Sequence, residues 1–417
     1  MESAVKVDKC RACESHYLSP VISLGGMYVT NFIDSADQQG PKIPLNLVAC
    51  DTERGGCGLL QLEHNTAPEL MWGDQYWYKS ALNPLIRKDL TSIVQGVRER
   101  ISLSPGDLVL DIGCNDGTLL SNYPVELHRA GFDPSKNVAA EARAKGFDVV
   151  NNFFNYKDYM GTFGTTKAKS ITAISMFYDL DNPNEFLRGI KQALDPLGVF
   201  TVQQNYVATM LSNNAVDNIC HEHLEYHSLH SMEKLLERHD LEVFDVEQNS
   251  INGGSIRTYI RNKGTNAGES KDGRRRVEDL RTAEKLQGLE TRAAYEQFAT
   301  RVGIQRDKLR GFIEQEQKKG KRFGACGAST RGNTTLQYFG LTPSHIEAIA
   351  DKNPDKWGKK AVGSMIPIIS PQEMTKMDPD YQVVLIWHLF KGLSPDEQEY
   401  ASKGGKFILP LPEFKII

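Results

Sequence analysis

One stretch near residue 110 constrains the fold of this chain more than any other. It reads Leu-Val-Leu-Asp-Ile-Gly-Cys-Asn-Asp-Gly-Thr-Leu-Leu from Leu108 to Leu120. The apolar run up to Ile112 predicts a strand buried on both faces, as in a parallel sheet. The two glycines predict a tight turn, and a helix should start near Thr118. A strand, a glycine turn and a helix in this order indicate a doubly wound α/β sheet.

Acidic residues where this strand and the next one end predict a nucleoside site. Open α/β sheets bind ligands at the carboxyl ends of their strands, which suits hydroxyls or a cationic amino acid moiety here. Diphosphates fit these acids poorly, and the spacing G-x-x-x-G is not the dinucleotide fingerprint. An ordinary capped glycine turn is the competing interpretation. The stretch resembles the S-adenosylmethionine site of class I methyltransferases, with predicted cofactor contacts at Asp111, Gly113, Asn115, Asp116, Gly117, Asp133 and Pro134.

The whole chain excludes several classes of protein. Its 417 residues suggest two or three domains, and a net charge of −4 gives no general attraction to nucleic acid or anionic membranes. We see no membrane-spanning stretch and no signal peptide. Seven cysteines fit a reducing cytoplasm better than a secreted disulfide framework. We therefore expect a cytoplasmic monomer without nucleic-acid or membrane partners.

Two pairs of cysteines near the N-terminus predict a structural zinc site. Cys10 and Cys13 are followed about forty residues later by Cys50 and Cys57, in a segment with few other core residues. Zinc would hold together a segment too small to fold by hydrophobic burial alone. The second pair is more widely spaced than usual. His16 and His64 therefore remain alternative ligands, and unrelated buried thiols remain a competing interpretation.

Strands and helices alternate through the middle of the chain. We predict strands at 108–112, 130–133, 170–176, 198–204, 241–247 and 255–261, with the last at an antiparallel edge. An aromatic cluster at 76–80 precedes a helix that runs to about Ile101.

A histidine-rich segment follows the fourth of these strands. Residues 221–230 contain four of the chain's ten histidines. A histidine beside an acid, such as His223 beside Glu222, can serve as a general base near neutral pH. His-Glu-His is not the H-E-x-x-H metal pattern, because adjacent side chains diverge. A solvated loop is the competing interpretation, but the position after a cofactor-site strand favours catalysis.

The C-terminal third predicts a small Rossmann-like domain. A charged helix or helix pair at 265–319 leads to a strand, a glycine turn and a helix at 322–338. The start of that helix is a natural anion site, with a plain capped turn as the competing interpretation. Strands follow at 346–351, 381–389 and 407–410. We favour a nucleotide diphosphate of the substrate over a redox cofactor here. Arg257, after a glycine pair, could hold a phosphate or sugar oxygen, and a plain turn with a surface arginine is the competing interpretation.

Taken together, these motifs resemble one family: the S-adenosylmethionine-dependent C-methyltransferases that act at C-3′ of nucleotide-linked 4-keto-deoxysugars. The resemblance implies a zinc-binding domain at 1–75, a methyltransferase domain at 76–263 and a Rossmann-like substrate-binding domain at 264–417. The motifs that carry it are Cys10-x-x-Cys13, Tyr76-x-Tyr78-x-Ser80, Asp111 to Gly117, His221 to Leu224, Gly253-Gly-Ser-x-Arg257, Gly327 to Asn333 and Trp387-His388.

The resemblance also implies roles for individual residues. His223 matches the family's general base and Glu222 its acidic neighbour. Removal of the C-3′ hydrogen by the base gives an enolate, and Tyr76 or His221 would donate a hydrogen bond to its oxygen. Two departures concern the sugar: Cys220 stands where relatives carry a tyrosine, and Tyr178-Asp179 stands near a histidine of those relatives. Predicted substrate contacts are Tyr78, Ser80, Tyr178, Asp179, Asn205, Cys220, Arg257, Ser329, Thr330, Asn333 and His388.

Two other functions remain open at this point. O- or N-methylation of a small molecule needs the same cofactor site without a keto sugar. A zinc-bearing, nucleotide-binding protein that catalyses no reaction would need neither a methyl-donor site nor a keto sugar.

Overall fold

A computed structural model describes residues 3–67, 70–71, 79–390 and 395–417. The predicted sites Tyr76 and Tyr78 lie outside these residues. Among the described helices, none combines the length and apolar character needed to cross a bilayer.

The N-terminal segment consists of short strands around the four cysteines. They are β1 (Ala4–Lys6), β2 (Leu18–Tyr28), β3 (Phe32–Ile33), β4 (Lys42–Cys50), β5 (Leu60–Leu62) and β6 (His64–Thr66). Strands β2, β4 and β5 pair antiparallel in sequence order. Buried leucines of this sheet join the same hydrophobic core as the rest of the molecule.

The central part alternates helices and strands as predicted. In chain order it contains α1 (Pro84–Arg100), β7 (Leu108–Ile112), β8 (His128–Phe132), α2 (Lys136–Ala144), β9 (Asp148–Val150), α3 (Tyr156–Phe163), β10 (Ala168–Ile174), α4 (Pro183–Ala193), β11 (Leu194–Asn205), α5 (Val207–Ser212), β12 (Glu225–Tyr226), α6 (Leu229–Glu237), β13 (Leu241–Asn249) and β14 (Ser255–Asn262).

Seven of these strands form one sheet in the order β13-β14-β11-β10-β7-β8-β9, which confirms the predicted α/β fold class. All five residues of β7 are buried, as the apolar run predicts. Strand β14 runs antiparallel to both of its neighbours, β11 and β13. The predicted edge position of β14 is therefore wrong: the turn at 251–253 folds it back inside, and β13 takes the edge.

The helix predicted from Thr118 is also wrong. A single 3-10 turn, Leu120–Asn122, stands in its place. Pro124 disfavours helical backbone at the preceding residue, and Tyr123 is extended with ψ 147°.

A helix pair and a second sheet complete the chain. The pair is α7 (Lys271–Gln287) and α8 (Arg292–Gln317), as predicted. The elements that follow are β15 (Phe323–Cys326), α9 (Thr330–Tyr338), β16 (Ile349–Ala350), β17 (Lys360–Ala361), β18 (Ile368–Ile369), α10 (Pro371–Met377), β19 (Tyr381–Val384), α11 (Pro395–Ser402), β20 (Lys406–Leu409) and β21 (Lys415–Ile416).

This second sheet has the order β18-β16-β15-β19-β20-β21. Its first five strands are parallel, and β21 is antiparallel to β20. The strand predicted at 381–389 is shorter, because Trp387–Leu389 forms a 3-10 turn.

Candidate active site

A cavity opens at the carboxyl ends of strands β7, β8 and β10. This is the place that the sequence predicted for the cofactor. Its wall combines apolar side chains with a few acids and amides. Among its lining residues are Ser80, Asp89, Asp111, Gly113, Asn115, Phe132, Asp133, Pro134, Phe153, Met176, Asp179 and Ile251.

The glycine turn after β7 shapes the edge of this cavity. Gly113 and Gly117 have φ of +72° and +75°, in the left-handed region that favours glycine. A Cβ on Gly117 would lie 2.7 Å from the ring of Phe147. Gly117 therefore shapes the turn from behind rather than lining the cavity.

Two carboxyls at the strand ends face the cavity. Asp133 accepts hydrogen bonds from the backbone N–H groups of Asn115, over 2.8 Å, and Ser135, over 2.9 Å. Asp111 accepts one from Thr172 Oγ1 over 2.6 Å, and burial raises the pKa of Asp111 to about 7. A ligand with hydroxyls and a positive charge fits this donor and acceptor set.

The predicted cofactor contact at Asp116 needs correction. Its side chain is buried and accepts from Thr118 Oγ1 over 2.6 Å and from the backbone N–H of Ala81 over 3.1 Å. These bonds tie the segment before α1 to the glycine turn, and Asp116 does not line the cavity.

The segment 217–224, called the histidine loop below, lies against the end of β10. The N–H of Leu224 donates to the carbonyl of Tyr178 over 2.9 Å. Tyr178 belongs to the turn Phe177–Asp179 that follows β10, and Asp179 lines the cavity. The tertiary structure thus places the histidine loop, which contains the predicted base His223, against a turn that borders the cavity.

The ring of His223 is fixed by the backbone. Its Nδ1 lies 2.9 Å from the carbonyl oxygen of Asn218, which also accepts from Tyr226 Oη over 3.2 Å. Because a carbonyl only accepts, Nδ1 carries the proton and Nε2 keeps its lone pair. The ring packs edge-on against Tyr178, with 4.5 Å between centroids. Burial lowers the pKa of His223 to about 4, so the ring is neutral at pH 7.

Two acids near this loop hold their protons unusually tightly. Burial raises the pKa of Glu222 to about 7. Burial, and secondarily the nearby charge of Glu222, raises the pKa of Asp179 well above its usual range. Glu222 was predicted to be the acidic partner of His223. The His223 ring is instead oriented by the carbonyl of Asn218, which corrects that prediction.

His221 is directed away from the predicted role of donor to an enolate. Its Nε2 lies 3.3 Å from the carbonyl oxygen of Ile43 in β4. Burial lowers the pKa of His221 to about 4, so the neutral ring has a single N–H. That N–H is used on Ile43, which corrects the prediction.

Two further predicted substrate contacts are engaged inside the protein. Arg257 is buried and donates to Gln203 Oε1, Asp89 Oδ1 and Glu247 Oε2 over 2.8–3.1 Å. Its guanidinium holds Asp89 at the cavity wall and is not available to a phosphate. Asn333 is also buried, and its Nδ2 donates to the carbonyl of Asn31 over 2.8 Å.

The other predicted contacts are spread around the two sheets. Ser80 lines the cavity, and its N–H donates to Asn115 Oδ1 over 3.0 Å. Asn205 and Cys220 are buried, with the Nδ2 of Asn205 3.4 Å from Asn218 Oδ1. Ser329 caps α9 by accepting from the N–H of Gly332 over 2.9 Å, and Thr330 is exposed in the first turn.

The C-terminal part places Arg331 and Trp387, to which the sequence analysis assigned no role, beside the predicted substrate contact His388. Arg331 and Trp387 both donate to Asp217 Oδ2 in the histidine loop, over 2.8 and 3.0 Å. His388 lies against Gly253, where a Cβ would stand 3.3 Å from the Cβ of His388. Burial lowers the pKa of His388 to about 3. Arg331 lies within a predicted anion site, but its sequence position does not indicate a partner 114 residues away.

The four predicted cysteines converge in the N-terminal segment. The Sγ atoms of Cys10, Cys13, Cys50 and Cys57 all lie within 4.8 Å of one another. Tetrahedral zinc, with Zn–S near 2.3 Å, needs sulfurs about 3.8 Å apart. The wide second spacing is absorbed by the 3-10 turn Thr52–Arg54.

A glycine and the histidines agree with this metal site. A Cβ on Gly56 would lie 2.5 Å from the Sγ of Cys50, so only glycine leaves room for the thiolate. His16 bonds instead to the carbonyl of Asp8, over 3.1 Å, and neither His16 nor His64 belongs to the cluster. The prediction of a four-thiolate zinc site is confirmed.

The fold and site together define a class I methyltransferase with a zinc-binding segment. Family models agree along the chain: a zinc binding domain matches residues 10–72, a methyltransferase domain matches 86–246, and a C-methyltransferase C-terminal domain matches 250–412.

The chain is 31% identical to the C-methyltransferase NovU of Streptomyces niveus over 418 residues, which cover 99% of this chain and 97% of that protein. The protein belongs to this family of C-methyltransferases. It is an S-adenosylmethionine-dependent enzyme, and its cavity residues Asp111 and Asp133 would hold the cofactor. Its four N-terminal thiolates would hold zinc.

More distant similarities cover less of the chain. The cyclopropane-fatty-acyl-phospholipid synthase of Escherichia coli K12 is 27% identical over 139 residues, 32% of this chain and 34% of that protein. The magnesium protoporphyrin IX methyltransferase of Synechocystis aligns at 14% identity and a TM-score of 0.35, over 43% of this chain and 88% of its own.

Proposed function

We propose that the protein methylates C-3′ of a nucleotide diphosphate-linked 4-keto-6-deoxysugar, in the biosynthesis of a branched deoxysugar. One observation carries the proposal: His223 has a neutral ring with Nδ1 bonded to Asn218, beside the cofactor cavity. Nε2 is therefore the nitrogen that can accept a proton. The relative NovU supports transfer to carbon, because its name states that activity.

The chemistry follows from the acidity of a carbon next to a carbonyl. The 4-keto group acidifies the hydrogen on C-3′, and His223 Nε2 takes it as general base. The resulting enolate places negative charge on the former carbonyl oxygen, which needs a hydrogen-bond donor. Glu222 and Asp179, with pKa values raised by burial, keep protons near this loop. S-adenosylmethionine, when bound, supplies the electrophilic methyl group.

The low pKa of His223 matters for this role. Since the base form is already present at pH 7, no proton must leave before substrate binds. The cost is weaker basicity, which the enzyme offsets by stabilising the enolate rather than by a stronger base.

The remaining contacts and the setting belong to the same proposal. The turn before α9 would hold the substrate diphosphate through backbone amides, with Ser329 and Thr330 at its start. Three domains at 1–75, 76–263 and 264–417 would share the zinc, cofactor and substrate roles. Four free thiolates as zinc ligands fit a reducing cytoplasm, and we propose that the enzyme acts there as a monomer.

His223→Asn tests the proposed base. The change removes the basic Nε2 but keeps a polar side chain, so turnover should fall about 10²–10⁴-fold with substrate affinity little changed. Exchange of the C-3′ hydrogen for deuterium, measured without cofactor by NMR on a panel of 4-keto sugar nucleotides, should disappear in parallel.

His230→Asn is the matched control. This histidine lies seven positions further on, in α6, with its ring 3.6 Å from Glu290. It should exchange at the parent rate. Exchange by the His223→Asn variant at the parent rate would refute the role of this residue, and no exchange by the parent enzyme on any sugar of the panel would refute the substrate class.

A further inference from the structure

The buried carboxylate of Asp217 connects the C-terminal sheet to the histidine loop. Its side chain is completely buried, and Oδ2 accepts from Arg331 Nε over 2.8 Å and from Trp387 Nε1 over 3.0 Å. The Nη2 of Arg331 lies 2.7 Å from the same oxygen. Both donors come from the C-terminal sheet, at the start of α9 and after β19.

Arg331 also contacts other groups of the protein. Its Nη1 donates to the carbonyl of Asn252, over 2.5 Å, in the turn that precedes β14. Its guanidinium also lies over the indole of Trp387, 5.8 Å from the ring centroid. One side chain of the C-terminal sheet therefore holds two loops of the methyltransferase sheet, and it is not free to bind a phosphate.

Asp217 lies in the same turn as the carbonyl that orients His223. Asp217 and Asn218 belong to the same single turn, Val216–Asn218, and the N–H of Ile219, in the same peptide as the Asn218 carbonyl, donates to the carbonyl of Val216 over 3.0 Å. The side chain of Asp217 thus anchors the turn that presents the Asn218 carbonyl. The Asn218 carbonyl then accepts from His223 Nδ1 over 2.9 Å. The connection from Arg331 to the proposed base therefore passes through the carboxylate of Asp217 and the turn that carries it.

We propose that Arg331 and Trp387 are positioning residues, which fix Asp217 and thereby the tautomer and orientation of His223. This inference rests on the proposed role of His223 as the base. A buried carboxylate that loses its cationic partner must move or take up a proton, because an unpaired buried charge is strongly disfavoured. If the Asn218 carbonyl turns away, the imidazole proton can shift to Nε2, and the base is blocked.

The contacts of Arg331 and Trp387 with Asp217 are called the clamp below. Arg331→Met and Asp217→Asn test it, with Arg301→Met as the matched control. Arg301 makes similar bonds from α8 to the segment before the loop: its Nε donates to Asn214 Oδ1 over 2.8 Å, and its Nη2 donates to the carbonyl of Leu211 over 2.7 Å. The control removes an arginine that donates to a nearby segment while leaving Asp217 untouched.

Two readouts separate positioning from general stability. The ¹⁵N shifts of the histidine rings, assigned with the His223→Asn variant, should show a single Nδ1–H tautomer in the parent and a mixture in Arg331→Met. The C-3′ exchange rate should fall about 10- to 100-fold in that variant, with KM little changed. Arg331→Lys, which keeps the charge, should restore part of the rate, and Arg301→Met should stay within about twofold of the parent.

The outcomes distinguish this inference from the proposed function. A folded Arg331→Met or Asp217→Asn variant with the parent tautomer and the parent exchange rate overturns the clamp. If Arg331→Met does not fold, Trp387→Phe removes one donor only and is judged by the same two readouts. If the parent enzyme exchanges no 4-keto sugar, the proposed function fails, while the tautomer measurement still decides whether Arg331 positions His223.

Discussion

The cofactor cavity and the histidine loop are neighbours that are built in different ways. Asp133 in the cavity bonds to the N–H of Asn115, 18 positions away, at the ends of adjacent strands. The histidine loop depends on Ile43, 178 positions from His221, and on Trp387, 170 positions from Asp217. The cavity is therefore a local product of one sheet, whereas the loop exists only when three parts of the chain meet.

The loop is held at its two ends by different forces. Its first residue, Asp217, is held by a buried ion pair and an indole N–H from the C-terminal sheet. At its other end, the N–H of Leu62 donates to the carbonyl of Leu224 over 2.9 Å, and β12 pairs with β5 of the zinc-bound segment. The zinc site has a structural role, and the segment that it stabilises contacts the loop that carries His223.

Loss of zinc should give the largest difference between the two regions. Cys57→Ser removes one of four thiolates, and structural zinc sites contribute on the order of 10 kcal/mol to folding of their segment. We expect turnover to be lost along with zinc, because β5 no longer supports β12. Affinity for S-adenosylhomocysteine should change less than about threefold.

Metal analysis, turnover and calorimetry on the same sample measure this difference. Cys326→Ser, at the end of β15 and outside the cluster, is the control and should keep its zinc. A parallel loss of cofactor affinity and turnover in Cys57→Ser would show that the cavity also depends on the zinc segment.

The pH dependence of stability should have opposite signs in the two regions. Burial raises the pKa of Asp111 to about 7 from 3.8, so its stabilising effect is complete below pH 3.8 and is lost as pH rises towards 7. Burial lowers the pKa of His223 to about 4 from 6.5, so its effect is complete above pH 6.5 and is lost as pH falls towards 4. Each changes the free energy of unfolding by about 1.4 kcal/mol per pH unit within its window.

Urea unfolding of the parent, Asp111→Asn and His223→Asn between pH 4.5 and 6.5 measures both effects. The stability of the parent relative to Asp111→Asn should fall as pH rises. Its stability relative to His223→Asn should rise over the same range. Equal signs for the two differences would contradict the assignment of a buried protonated acid to the cavity and a buried neutral ring to the loop.

A cavity variant should affect cofactor binding alone. Asp133→Ala removes the proposed ribose contact, and leaving hydrogen-bonding groups unpaired costs about 1–3 kcal/mol. Calorimetry should show that affinity for S-adenosylhomocysteine falls accordingly, while C-3′ exchange without cofactor stays within about twofold of the parent.

Asp148→Ala is the control for this variant, since Asp148 stands at the start of β9 and its Oδ2 lies 2.7 Å from His128 Nε2. It should bind the cofactor like the parent. Unchanged affinity for S-adenosylhomocysteine in a folded Asp133→Ala variant would show that Asp133 does not contact the ribose. A loss of C-3′ exchange as large as the loss of affinity would show that the histidine loop depends on the cavity.

The sequence by itself determined the elements whose partners are close along the chain. The buried strand before Gly113, the acid at Asp133 and the two cysteine pairs could be read directly, because strand burial, turn geometry and thiolate chemistry leave local patterns. The doubly wound sheet and the zinc site followed from them, although the short strand β9 was not predicted. The position of β14 did not, since a hairpin can fold to either side of its neighbour.

Only the tertiary structure decided which polar residues face a ligand. Arg257 was predicted to contact substrate, yet it is buried against Asp89 and Gln203. The tautomer of His223 follows from the Asn218 carbonyl, and the turn that carries this carbonyl is bonded through Asp217 to Arg331. No local pattern predicts these partners. The physical reason is that the sequence identifies which residues can donate or accept a hydrogen bond, but not the partner of each. That partner is determined only when segments distant along the chain pack together.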